Sequence, residues 1–138
     1  MKRETLENQA VAVTTMPASF KDAVNIGKLI RGKNLDKAVI RLEKVISKEL
    51  ALPSIRFNDN VAHKKGLGVG GRYPKNASMG VIKALKLLKA NAKAKGLDDS
   101  KLIINEFIAN FAVSKNKRAR YKTGASTHLK IGAVVKND

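Results

Sequence analysis

The sequence predicts an α+β fold in which a strand, three helices and a closing pair of strands surround one core. Three observations carry this. Residues 127–135 alternate strictly, with Leu129, Ile131, Ala133 and Val135 on one side and His128, Lys130 and Gly132 on the other. Two longer segments repeat apolar residues at helical spacing, and Gly or Pro falls where each element would stop. The 138 residues, 43% of them hydrophobic, suit one domain spanning 1–138 with a core that requires no staples. The chain has no cysteine, which excludes a disulfide framework and a thiolate metal site.

In chain order, Ala10–Thr15 (AVAVTT) is short and β-branched and reads as a strand, punctuated by Pro17. Ser19 followed by Asp22 resembles a capping box, which opens a helix from about Phe20 to Ile30 that stops at Gly32. Asn34 is placed to cap a second helix whose inward face is Leu35, Ala38, Val39, Leu42, Val45 and Ile46, with Pro53 beyond its end. Pro74 fits as the first residue of a third helix ending at Gly96. Its inward stripe is Ala77, Val81, Ala84, Leu85, Leu88 and Ala92, while Lys83, Lys86, Lys89 and Lys93 lie off it. Lys101–Val113 and Thr127–Val135 then form an antiparallel hairpin, an arm of about 102–135. On its first strand Ile103, Phe107, Ala109, Phe111 and Val113 share one face, and Leu102, Ile104 and Ile108 the other. The 25 residues Glu49–Tyr73 show no clear period; either a short helical turn near Val61–Lys65 breaks them up or a partner holds them.

Charge points to the partner. Twenty-eight Lys and Arg oppose eleven Asp and Glu, a net charge of +17. Residues 1–59 carry +4 and residues 60–138 carry +13, and no acid occurs between Asp59 and Asp98 or between Glu106 and Asp138. Soluble surfaces mix the two signs, so long acid-free stretches imply countercharge from outside, of which nucleic-acid phosphate is the commonest source. The densest cluster is Ser114–Lys122, SKNKRARYK, with Lys115, Lys117, Arg118, Arg120 and Lys122 around Tyr121. Arg and Lys contact phosphate, and guanidinium planes stack on bases. The competing reading of this cluster is a solvated turn.

Other functions fare less well. GLGVGG (66–71) approaches the dinucleotide fingerprint, but its third glycine is displaced, no strand precedes it and no acid follows about twenty residues on. His63 and His128 with a lysine would be needed for an RNA-cleaving enzyme, yet no catalytic order or metal-ligand cluster supports it, so no catalytic residue, metal or cofactor is assigned. His128 instead reads as a phosphate or sugar donor, or as simply exposed. The amphipathic third helix lacks aromatic anchors for lipid, no run of about twenty apolar residues occurs, and the N-terminus does not read as a targeting peptide, so no membrane partner is expected. A stand-alone basic RNA- or DNA-binding module is one form that this nucleic-acid-binding reading takes.

Five strings in order sharpen the reading: IRGKNLDKA (Ile30–Ala38), RFNDNVAHKKG (Arg56–Gly66), GRYPKNAS (Gly71–Ser78), NAKAKGLD (Asn91–Asp98) and STHLKI (Ser126–Ile131). Together they resemble the universal large-subunit ribosomal protein family twenty-two, numbered seventeen in eukaryotes, in its archaeal and eukaryotic branch. The resemblance implies a three-stranded antiparallel sheet packed against three helices, with a protruding basic β-hairpin. It implies a structural, non-enzymatic constituent of the large ribosomal subunit in the cytoplasm, acting in subunit assembly and translation. The implied partners are large-subunit rRNA, neighbouring large-subunit proteins and the nascent polypeptide, whose exit tunnel the hairpin tip would line. By that similarity Lys115, Lys117, Arg118, Arg120, Tyr121, Lys122 and His128 are hairpin contacts to rRNA, and Arg31, Lys33, Arg56, His63, Lys64, Lys65 and Arg72 are body contacts. The hairpin is a few residues shorter than the family's usual one.

Overall fold

The computed structural model describes residues 8–116 and 123–136. Its elements are β1 (Gln9–Met16), α1 (Phe20–Ile30), α2 (Leu35–Ile46), β2 (Leu52–Pro53), β3 (Gly71–Arg72), α3 (Lys75–Ala94), β4 (Leu102–Phe111), β5 (Lys115–Asn116), β6 (Thr123–Gly124) and β7 (Thr127–Val135). The main sheet has the order β1-β7-β4, antiparallel throughout. The α+β expectation of three helices on a three-stranded antiparallel sheet is therefore met.

Position in the sheet explains how clearly each strand reads. β7 is central, so both its edges are paired and its inward residues Leu129, Ile131 and Ala133 are fully covered. β1 is an edge strand whose alanines, not its valines, face the core: Ala10 and Ala12 are buried, whereas Val13 is 68% exposed. Small residues here let α3 lie close. Gly80 on α3 leaves no room for a side chain, since a Cβ there would sit 2.8 Å from the Met16 sulfur. Asn91 Nδ2 and Lys95 Nζ also donate to the Val11 and Gln9 carbonyls, each at 2.9 Å.

β4 corrects the expected faces. Its pairing with β7 slips between Ile104 and Glu106, so Asn105 is an extra, bulged residue. Before the bulge Leu102 and Ile104 point inward; after it Phe107 does. Neither set predicted from strict alternation is the true inward set, because one inserted residue reverses the phase. The strand is also shorter than predicted. Lys101 belongs to a 3₁₀ turn, Asp99–Lys101, and Val113 lies beyond the end.

The helices follow their stripes. Every residue predicted inward on α3 is buried, as are Leu35, Ala38, Leu42 and Val45 on α2. Asn34 caps α2 by accepting from the Asp36 N–H at 3.0 Å, whereas the Ser19 side chain makes no such bond to α1. Pro74 is the residue before α3 rather than its first; its carbonyl accepts from the Ser78 N–H at 3.0 Å, and its missing N–H costs nothing in either place. Gly32 and Gly96 end their helices with φ of +77° and +72°, a conformation side chains resist.

The expected helical turn at Val61–Lys65 is absent. The segment is instead closed by its own backbone. β2 pairs β3, His63 bridges Gly70, Ser54 N–H donates to Gly70 O (2.9 Å) and Gly71 N–H to Ala62 O (3.2 Å). The chain reverses through Gly66 and Gly68 at φ of +86° and +68°. Internal hydrogen bonds thus give this segment order of its own, without the helical turn. Among the described residues no helix is long and apolar enough to cross a membrane.

Candidate nucleic-acid interface

The cationic residues fall on distinct elements, and the fold gathers some of them. Arg31 ends α1; its Nη2 donates to the Phe107 carbonyl on β4 at 2.9 Å. Arg56 begins the closed loop. Its N–H and carbonyl are both held by the buried Asn25 amide, at 3.0 Å each, and its guanidinium lies 5.3 Å over the Phe57 ring. Both arginines line one crevice of about 560 Å³ between α1 and β4, together with Lys28, which sequence reasoning did not single out. No acid lines that crevice.

A second crevice, also about 560 Å³, is lined by Lys64, Arg72, Tyr73 and Asp22. The Lys64 ammonium stands 5.5 Å over the Tyr73 ring. Burial pushes the Asp22 carboxyl above the ordinary aspartate value, and the nearby Arg72 guanidinium partly offsets this. His63 and Lys65 are exposed on the same loop but do not line either crevice. Lys33 is half-buried in the α1–α2 connection, where backbone bonds from Gly32 N–H to Ile104 O (2.7 Å) and Ile104 N–H to Lys33 O (3.0 Å) fix its position.

On the outer face of the sheet, His128 Nδ1 shares a 2.7 Å hydrogen bond with Thr15 Oγ1. His128 stands on β7 and His63 in the closed loop, so the two belong to different elements. Lys130, beside His128 on that face, is answered by Glu106 at 3.3 Å. Of the hairpin set, Lys115 is exposed on β5; Lys117, Arg118, Arg120, Tyr121 and Lys122 lie outside the described residues.

Two lysines of the outer face of α3 are answered by acids. Lys89 meets Asp36 at 2.9 Å and Asp99 at 3.8 Å, and Lys93 meets Asp99 at 3.3 Å. The hydrogen bond to Asp36 holds the Lys89 ammonium above the ordinary lysine value, against a smaller opposing effect of desolvation. Acids therefore collect where α3 adjoins α2 and the 3₁₀ turn, while the α1 side keeps its cations.

Sequence reasoning also missed an aromatic cluster at the root of the arm. Phe20 stacks on Phe111 with ring centres 4.1 Å apart and meets Phe57 edge-on at 5.9 Å; Lys21 lies 5.7 Å over Phe57. These residues come from α1, β4 and the loop, so no local spacing could have linked them.

Comparison with known proteins gives the family. The family described as ribosomal protein L22p/L17e matches residues 11–129. A protein of Picrophilus torridus named large ribosomal subunit protein uL22 is 41% identical over 119 residues, covering 86% of this chain and 75% of its own length. Proteins of the same name are 46% identical in Archaeoglobus fulgidus, over 64% of this chain and 59% of theirs, and 35% identical in Nanoarchaeum equitans, over 97% and 83%. These relatives are archaeal, in keeping with the branch indicated by the RFN…HKKG…GRYP strings. The profile match across most of the chain and identities of this order establish that the chain belongs to the ribosomal protein L22p/L17e family, whose members are structural proteins and not enzymes.

Proposed function

We propose that the chain is a structural constituent of the large ribosomal subunit, in the cytoplasm, that binds large-subunit rRNA through its basic body and its hairpin arm. The body contacts in this reading are Arg31, Lys33, Arg56, His63, Lys64, Lys65 and Arg72; the arm contacts are Lys115, Lys117, Arg118, Arg120, Tyr121, Lys122 and His128. Neighbouring subunit proteins are its protein partners, and the arm's tip reaches the exit tunnel and the nascent polypeptide. One observation carries the reading. The α1 side gathers Lys28, Arg31, Arg56, Lys64 and Arg72 into two crevices whose only acid is the half-buried Asp22. A folded chain that leaves such a surface unanswered is repelled by itself until phosphate supplies the countercharge.

The mechanism is neutralisation with shape. Each cation that meets a phosphate releases condensed counterions, so affinity falls as salt rises. Held arginines add direction, because their planar donors match phosphate oxygens. Filter binding of the full chain to large-subunit rRNA across a salt series tests this. Lys115→Gln is expected to lower the slope of log K against log salt by about 1 if Lys115 meets one phosphate. A salt-independent affinity for wild type contradicts the reading. Co-sedimentation with large subunits after a moderate salt wash separates it from a module acting outside the ribosome.

A further inference from the structure

The crevice between α1 and β4 has two chemistries side by side. One wall is apolar: Phe20 and Val24 from α1, and Phe107 and Ala109 from β4. The rim is cationic, from Lys28, Arg31 and Arg56. Neither arginine is loosely placed. Arg31 is anchored to the Phe107 carbonyl, and the Arg56 backbone is clamped by Asn25 from both its N–H and its carbonyl. The Arg31 guanidinium and the Arg56 backbone are thus fixed by separate devices beside a recess that no acid lines, with the Arg56 guanidinium over the Phe57 ring. Ligand recesses of roughly 300–1,000 Å³ are typical for small molecules, and this one, about 560 Å³, is within that range.

A regular RNA duplex presents only its ribose-phosphate ridge to such a surface; it would use the rim and leave the apolar wall empty. An acidic peptide offers carboxylates to the rim but no flat apolar body for the wall. An unstacked nucleotide offers both, a base for the wall and a phosphate for the rim, and single-stranded loops and bulges are where RNA supplies it. We propose that this crevice receives one nucleotide turned out of an rRNA loop or bulge, its base against Phe20 and Val24 and its phosphate bound by Arg31 and Arg56. The proposal rests on the rRNA-binding reading and adds a site with a defined occupant.

Val24→Trp fills the recess and leaves every charge in place. With transcribed large-subunit rRNA of the chain's own organism, it should bind about tenfold more weakly, the scale of losing one base–aromatic contact, with an unchanged salt slope. Chemical probing at single-nucleotide resolution should then show one nucleotide, protected by wild type, becoming reactive. Arg31→Lys keeps the charge but loses the planar fork, and should expose the same nucleotide in part. Ultraviolet crosslinking of wild type, mapped by mass spectrometry, does not depend on either variant folding. An adduct on Phe20, Phe107 or a neighbouring crevice residue supports the site, and adducts confined to other surfaces overturn it. If wild type binds rRNA and Val24→Trp, folded by circular dichroism, matches its affinity and footprint, the crevice proposal fails while rRNA binding stands. If wild type does not bind rRNA, the broader reading fails first. A glutamate-rich peptide that displaces no RNA contact yet loses binding on Val24→Trp would assign the recess to a protein partner and overturn the proposal.

Discussion

At the scale of single residues, two positions show packing and solvation overriding local preference. Gly27 lies inside α1, where glycine costs about 1 kcal/mol relative to alanine. A Cβ at this position would run into the Phe107 ring, so the missing methyl is what lets α1 lie on β4. Gly27→Ala is therefore expected to destabilise, by about 1–3 kcal/mol in chemical denaturation, although helix propensity alone predicts a gain. Asp22 illustrates solvation. Its carboxyl titrates above the ordinary value because it is half-buried, so the folded chain holds that proton more tightly than the unfolded one. Stability contributed by this group falls as pH rises from the unfolded-state value through the raised one. The stability of Asp22→Asn relative to wild type should accordingly grow across that acid window and level off above it, measured by denaturation at a series of pH values.

At the scale of elements, the bulge in β4 is the most instructive feature. Deleting Asn105 would bring Ile104, Glu106 and Phe107 into strict alternation with their observed facing retained. That variant should keep cooperative unfolding and lose no more than about 2 kcal/mol. Deleting Ile108 instead forces a choice. Either Ala109 and Phe111 change faces, or the bulge closes and turns Glu106 inward and Phe107 outward. It should lose at least about 3 kcal/mol or fail to accumulate as soluble protein. The same feature marks what the sequence could tell. β7, α2 and α3 were legible because each keeps one period from end to end, and the residues that period selects are buried or, for Val39, Ile46 and Val135, half-buried. β4 was not, since an inserted residue leaves composition untouched and only reverses phase. The closed loop was opaque for another reason: its order comes from backbone bonds between residues far apart, such as Ser54 with Gly70 and Gly71 with Ala62. Of the candidate interface, the cations were visible as charge without acid. Their assembly with Lys28, Phe20 and Phe107 needed α1 and β4 to meet.

At the scale of the whole molecule, the dominant quantity is the net charge of +17. The described ion pairs cluster at the junction of α2, α3 and the 3₁₀ turn and on the outer sheet face, leaving the α1 side cationic. Salt acts in two opposite ways on such a body. It screens self-repulsion, so the Tm of the free chain should rise on going from low to moderate ionic strength. It also competes for phosphate, so affinity for rRNA should fall over the same range. Parallel melting and binding measurements on one preparation would reveal the two trends; a Tm that falls with salt would mean that specific pairs outweigh the repulsion.

The strand order β1-β7-β4 has a further consequence for synthesis. The first and last-but-one long strands never touch; each waits for the final one to come between them. A growing chain that has produced everything through Phe111 can wind its helices but has no sheet to lay them on. Closure comes only when Thr127–Val135 has cleared the machinery that makes it, so this protein reaches its finished form after translation of that strand, in one late step spanning almost its whole length.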